Sequence, residues 1–174
     1  MSEQNVTHHT ITALVEDKPG VLNRIVSMFR RRNYNISSLA VGHSEKVGMS
    51  RMTFVVECDF SILHLVSNNL DKLVEVIEVE NISENNSISR ELALVKISHE
   101  FTDSKKNEIA SIVHIVDEAG AKILDQTQEY IIIEVTGNED RINSFLLLLK
   151  TFAIEEVMRT GVVAMNMEEN NLTN

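Results

Sequence analysis

Residues Ile11–Ser38 read ITALVEDKPGVLNRIVSMFRRRNYNISS, and the rest of the chain is organised around them. Thr10–Val15 alternates and is rich in β-branched residues, the pattern of a strand. Glu16-Asp17-Lys18-Pro19-Gly20 breaks that alternation with the chain's only proline. Pro19 suits the first helical position, where its missing N–H would be unpaired anyway. Gly20 then falls in the first turn, where backbone N–H groups are still free. Val21, Leu22, Ile25, Met28 and Phe29 recur at helical spacing and predict one buried stripe. Arg30-Arg31-Arg32 complement the dipole at the helix end, and the same run is a candidate docking surface. Asn33-Tyr34-Asn35 is turn chemistry, since Asn tolerates left-handed backbone.

Working outward, Ile36–Val41 and Met49–Glu57 predict two strands around a polar loop, Gly42–Gly48. Apolar residues on both faces of the second strand suit a central place in a sheet. Phe60–Leu70 returns to helical spacing through Ile62 or Leu63, Val66 and Leu70, and Val74–Ile82 is a strand. The order β-α-β-β-α-β is the split βαβ, or ferredoxin-like, arrangement. It then repeats. Leu92–Ile97 is a strand, and Ser104–Glu118 is a helix with Ser104 as N-cap, ended by Ala119-Gly120. Lys122–Thr127 and Tyr130–Thr136 form a hairpin, and Asp140–Lys150 is a helix whose most apolar turn is Leu146–Leu149. Ile154–Arg159 and Val162–Met167 are read as one last strand interrupted at Gly161.

The fold class expected is α+β, two tandem βαββαβ sandwiches, each an antiparallel sheet with two helices on one face. Their bounds are a flexible tail at 1–9, a first domain at 10–83, a linker at 84–89, a second domain at 90–168 and a tail at 169–174. Small cores and an open sheet face favour pairing between copies. A homodimer at least is expected.

Composition narrows the function. The 174 residues are 43% hydrophobic and 24% charged, with a formal net charge of -10. Met1–Asn86 carries 8 basic and 11 acidic side chains, and Ser87–Asn174 carries 8 and 15. A groove that tracks phosphates needs clustered positive potential, so nucleic acid is not an expected partner. No apolar run reaches the ~20 residues of a membrane helix, and the N-terminus lacks the blocks of a signal peptide. A cytoplasmic, reducing compartment is expected, and no membrane partner.

Catalytic signals are lacking. Neither GxGxxG nor GxxxxGK[ST] occurs, and no Ser/His/Asp or Cys/His set has local support. His8-His9 would point to opposite sides of a strand, and His43, His64, His99 and His114 share no metal-ligand spacing. Glu155-Glu156 and Glu168-Glu169 read as solvated faces. The lone Cys58 ends an apolar run and reads as a small buried thiol. Binding fares better. Free N–H groups from Gly20 to Leu22, with the positive end of the dipole, suit a carboxylate. Asn35 brings an amide that both donates and accepts. An amino-acid pocket between helix start and strand start is one reading. A plain helix start is the other.

EDKPGVLNRIVSMFRRRNYNISSL resembles the ACT-domain signature, an acidic turn, Pro-Gly-x-Leu and an amphipathic helix closing on Arg-x-Tyr-Asn-Ile. With SRMTFVVE (Ser50–Glu57), RELALVKI (Arg90–Ile97) and VMRTGVVAMN (Val157–Asn166), the chain resembles the small, regulatory subunits of acetolactate synthase, also called acetohydroxyacid synthase. The likeness runs from Thr10 to Met167. It implies a non-catalytic subunit that binds a separate catalytic subunit, raises its activity, and confers feedback by valine or a related branched-chain amino acid. Thiamine diphosphate, magnesium and FAD are expected on that catalytic subunit and no cofactor on this chain. The effector is expected where the helix-start turn of one copy faces the strand of another, lined by Asp17, Gly20, Val21, Leu22, Asn35 and Ile36. Gly20 and Val21 would offer N–H groups to its carboxylate. Many members carry Asn at the place of Asp17, and a carboxylate there suits the effector's ammonium. The competing readings are a free-standing amino-acid sensor and, further behind, a ferredoxin-like enzyme or RNA-binding domain; the Met52–Glu57 strand lacks the stacking aromatics of the latter.

Overall fold

A computed structural model of the chain describes residues 7–82, 86–98 and 106–167. Thirteen elements follow in order: β1 (Thr7–Glu16), α1 (Val21–Arg31), β2 (Asn35–His43), β3 (Met49–Cys58), α2 (Phe60–Asp71), β4 (Val76–Ile82), β5 (Ser87–Ser98), α3 (Lys106–Ala119), β6 (Lys122–Gln126), β7 (Tyr130–Gly137), α4 (Glu139–Leu149), β8 (Ile154–Arg159) and β9 (Val163–Asn166). Two compact units result. One runs to Ser89 and takes in the residues from Val162 on; the other is Arg90–Gly161. Both have the βαββαβ order of the expected α+β class.

The first sheet has strand order β2-β3-β1-β4, antiparallel throughout, with β2 at an outer edge. Alternation decides what each strand buries. Ile11, Ala13 and Val15 of β1, and Met52, Phe54 and Val56 of β3, turn inward against Val21, Ile25, Met28 and Phe29 of α1 and Leu63, Val66 and Leu70 of α2. Phe29 stacks on Phe54 at 5.4 Å between ring centroids. Leu22 is a departure from the predicted stripe. It lies one step round the helix from Val21 and is 42% exposed.

The second face of this sheet is covered, contrary to the expectation of an open face. Thr12, Leu14, Thr53 and Val55 alternate away from the helices and are all buried. β9 lies against β1 and β4, Val162 N–H donates to Ser38 Oγ of β2 at 3.0 Å, and Asn166 Nδ2 donates to Glu80 of β4. Gly161, at φ +78, separates β9 from β8, so the two are not one interrupted strand. β9 pairs instead with β5, and Met167 N–H donates to the Asn86 carbonyl at 2.8 Å. Ser87–Ser89, expected in a linker, are the first residues of β5.

Other boundaries shift for local reasons. β1 begins at Thr7 because Thr7, His8 and His9 pair with Cys58, Glu57 and Val56, so the expected tail gives up three residues. Val74 and Glu75 belong to the turn before β4, where Val76 N–H bonds the Leu73 carbonyl. The tips of the expected tails, Ser83, His99, the Ser104 cap and Glu168-Glu169 lie outside the described residues.

The second unit has strand order β6-β7-β5-β8. Ala93, Val95, Ile97, Ile131, Ile133 and Val135 face Ile112 and Val116 of α3 and Ile142, Phe145 and Leu149 of α4. Gly120, at φ +62, ends α3, and Ala121 N–H reaches back to the Val116 carbonyl in a Schellman closure. Asn138 caps α4, accepting from Arg141 N–H. Glu91 is buried at the sheet end and is gripped by Arg159 through two bonds of 2.8 and 2.5 Å. Arg159 also reaches Asn143 Oδ1 at 3.0 Å.

Candidate functional site

Lys18-Pro19-Gly20-Val21 forms a type II turn: Val21 N–H closes on the Lys18 carbonyl at 3.3 Å, with Gly20 at φ +91, ψ -10. Only glycine takes that backbone without strain. Pro19 therefore sits at the second position of the turn and not at the first helical residue; Gly20 is the N-cap. No side chain caps α1. The N–H groups of Gly20 and Leu22 point out of the helix start with no intrahelical acceptor. Val21 is different, since its N–H closes the turn and its side chain enters the core. The expectation that Val21 donates to a ligand is corrected on that ground.

The turn is held on both sides. Glu16 N–H bonds the Glu75 carbonyl at 2.9 Å, and Asp17 N–H bonds the Gly48 carbonyl at 2.8 Å. Arg24 of α1 pairs with the Glu75 carboxylate, and Lys18 with Glu16 at 2.9 Å. Asp17 Oδ2 lies 3.3 Å from His43 Nδ1, at the end of β2. In the loop beyond, Arg51 bonds Glu45 at 2.9 Å and holds its carboxyl down at about 2. His43, Gly48 and Glu75 escaped sequence reading because each reaches the turn only through strand register.

Asn35 and Ile36 are elsewhere. Asn35 pairs with Glu57 in the register of β2 and β3, whereas Glu16, next to the turn, pairs with Met49. At about 3.3 Å per residue, Glu57 and Met49 stand roughly 25 Å apart along β3. Asn35 Nδ2 donates to Glu57 Oε2 at 2.7 Å, and Ile36 is half-buried against the core. Within one copy, helix start and strand start do not make a single pocket. A separate groove lies at the strand-start end, lined by His9, Phe60, Leu63 and Asn81 among others.

The remaining candidates stay apart from any centre. His8 lies 3.4 Å from Glu57, while His9 meets the Phe60 ring edge-on, so the two diverge. Among the described residues, no group of three His, Cys, Asp or Glu is placed to hold a metal. Cys58 is buried, and desolvation followed by the Asp59 charge pushes its thiol up. Arg30, Arg31 and Arg32 are exposed at the end of α1. Among the described residues, no helix is long and apolar enough to cross a membrane.

Residues 11–78 match the family described as the AHAS small subunit-like ACT domain, and residues 90–168 match the small subunit of acetolactate synthase. The chain belongs to the acetolactate synthase small-subunit family. The probable acetolactate synthase small subunit of Archaeoglobus fulgidus is 45% identical over 157 residues, covering 90% of this chain and 95% of the relative. The acetolactate synthase small subunit of Mycolicibacterium smegmatis is 42% identical over 158 residues, 91% of this chain and 90% of the relative. The crystal structure of the acetolactate synthase small subunit from Thermotoga maritima superposes with a TM-score of 0.84 at 38% identity, covering 94% of this chain and 99% of that one. The ACT-type first unit and the small-subunit second unit carry the fold class read from the residues.

Proposed function

We propose that the chain is the regulatory partner of a separate catalytic subunit of acetolactate synthase, raises its activity, and makes it answer to valine or a related branched-chain amino acid. Thiamine diphosphate, magnesium and FAD belong, in this reading, to the catalytic subunit, and this chain supplies only the control. The observation that carries it is the uncapped, doubly pinned helix start at Gly20. Its outward N–H groups suit the effector's carboxylate.

The separation of Asn35 from Gly20 favours a site shared by two copies. β2 is an edge strand. Antiparallel pairing of β2 with its equivalent across a two-fold axis would set Asn35 of a second copy near His43 of the first. His43 is tied to the turn through Asp17. One effector would then lie between Gly20 and Leu22 of one copy and the Asn35 amide of the other, with Ile36 beside it.

The test is acetolactate formation by the cognate catalytic subunit, with and without this chain, across a valine titration. Stimulation with inhibition by valine supports the reading, and loss of that inhibition in Gly20→Asp assigns it to the turn. Stimulation without inhibition by any branched-chain amino acid would remove the effector site. No effect on the enzyme, with the pure chain still binding an amino acid, would leave a free-standing sensor.

A further inference from the structure

The backbone passes between the two units twice, outward between Ser89 and Arg90 and back between Gly161 and Val162. Just inside the second unit the two passages are tied to each other. Thr160 N–H donates to the Leu92 carbonyl at 3.0 Å, and Leu92 N–H donates to Thr160 Oγ1 at 3.1 Å. The same hydroxyl donates to the Gly161 carbonyl at 2.8 Å. Beside them, Arg159 Nε and Nη2 donate to the two carboxylate oxygens of Glu91 at 2.8 and 2.5 Å. Just inside the first unit, β9 pairs with β5, and Met167 N–H donates to the Asn86 carbonyl at 2.8 Å.

We propose that Glu91 and Arg159, with Thr160, form a coupling clamp that locks the two passages in one register and so transmits effector binding from the first unit to the second. The inference rests on the regulatory reading above.

Glu91 is 5% exposed. A pair withdrawn from water this far adds little net stability, because desolvation of both charges offsets their attraction, and apolar residues of like volume stabilise a fold as well. What an apolar pair cannot supply is the two-pronged geometry of a guanidinium on a carboxylate. That geometry holds β8 against β5 in a single arrangement, since a slip of one residue would turn Arg159 to the other face of the sheet. Arg159 Nη1 also donates to Asn143 Oδ1 at 3.0 Å, which carries the restraint on to α4.

On the first unit's side, β9 packs against β1 and β4. β1 ends at Glu16, whose N–H is bonded to the Glu75 carbonyl just ahead of β4. A shift of the Gly20 turn therefore bears on both strands that hold β9, and β9 leads back through Val162 and Gly161 to Thr160. With the clamp closed, that displacement moves Leu92 and Asn143 as well. With it open, β8 slips on β5 and the displacement ends there.

The test is hydrogen exchange of the full chain with and without saturating L-valine, L-leucine or L-isoleucine. Calorimetric titration and inhibition of the cognate catalytic subunit are measured alongside. In the wild type the effector should slow exchange at the Gly20 turn and, by about fivefold or more, in β8 and α4. Glu91→Leu combined with Arg159→Met removes both charges together, so thermal stability should hold. In that double variant affinity and slowing at the turn should persist, while slowing in β8 and α4 and inhibition of the enzyme are lost. Thr160→Val, which deletes only the hydroxyl's bonds, should lose part of both, and it decides the matter if the double variant fails to fold. Undiminished slowing in these variants overturns the proposal, as does wild-type slowing confined to the first unit although the effector inhibits. A wild type that neither binds nor responds to any of the three amino acids overturns the regulatory reading, and the proposal with it.

Discussion

Gly20 shows how one residue carries both a conformation and a candidate site. Its φ of +91 costs a side chain about 1–2 kcal/mol, while a Cβ placed there meets nothing within 4 Å. Gly20→Ala should therefore lose stability of about that size in urea unfolding, purely through the backbone, and Gly20→Asn should lose less. Cys58 gives an opposite case, a nucleophilic atom made idle by burial. Native chain should resist iodoacetamide at pH 8 and label fully in urea, because desolvation keeps the thiol protonated. The turn glycine and the left-handed Asn33, at φ +57, were legible from residue type, whereas Pro19, expected as the first helical residue, belongs to the turn before it. What residue type could not tell was which N–H groups remain free. That depends on the turn's own hydrogen bond, which removes Val21.

Among the elements, hairpins and caps give separable tests. Glu45 lies in the β2–β3 loop, and its bond to Arg51 lowers its folded carboxyl from 4.5 to about 2. A depressed acid stabilises the fold fully above its unfolded value and loses that contribution as pH falls from 4.5 towards 2. Glu45→Gln should lower stability at neutral pH, where the wild-type carboxylate is paired, and flatten the profile over that interval, the two proteins converging at its acid end. In the second unit, a Cβ on Gly137 would come within 2.6 Å of Arg141 Cδ and 3.0 Å of its Cβ. Gly137→Ala should displace Arg141, break its 2.7 Å bond to the Ala119 carbonyl, and cost about 1–2 kcal/mol in thermal unfolding. Periodicity revealed the four helices and most strands because each buries one regular face. It misassigned β9, a short run of alternating Val163, Met165 and buried-side Ala164 and Asn166, whose partner strands are far off in sequence.

For the whole molecule, two βαββαβ units with distinct cores were readable from a repeated pattern of elements. The closing of the first by a strand from beyond the second was not, since no local signal marks which sheet a terminal strand will join. A chain ended at Gly161 removes β9 from its place against β1 and β4. Hydrogen exchange should then quicken across β1 and β4 while α3, α4 and β7 keep their protection. Equal loss in both units would contradict this division. Leu147 and Leu148 of α4 remain exposed in the second unit.

The strand β9 also sets an order of events in synthesis. β1 to β4 leave the ribosome long before Val163, yet β1 and β4 are packed against Val163–Asn166. Until those residues emerge, the nascent first unit lacks the strand that packs against β1 and β4, and unfinished units of this kind attract chaperones or neighbouring chains. The second unit must therefore be synthesised before the first is sealed, so a message truncated ahead of Val163 yields a product whose first unit, although it has β1 to β4, is incomplete as a fold.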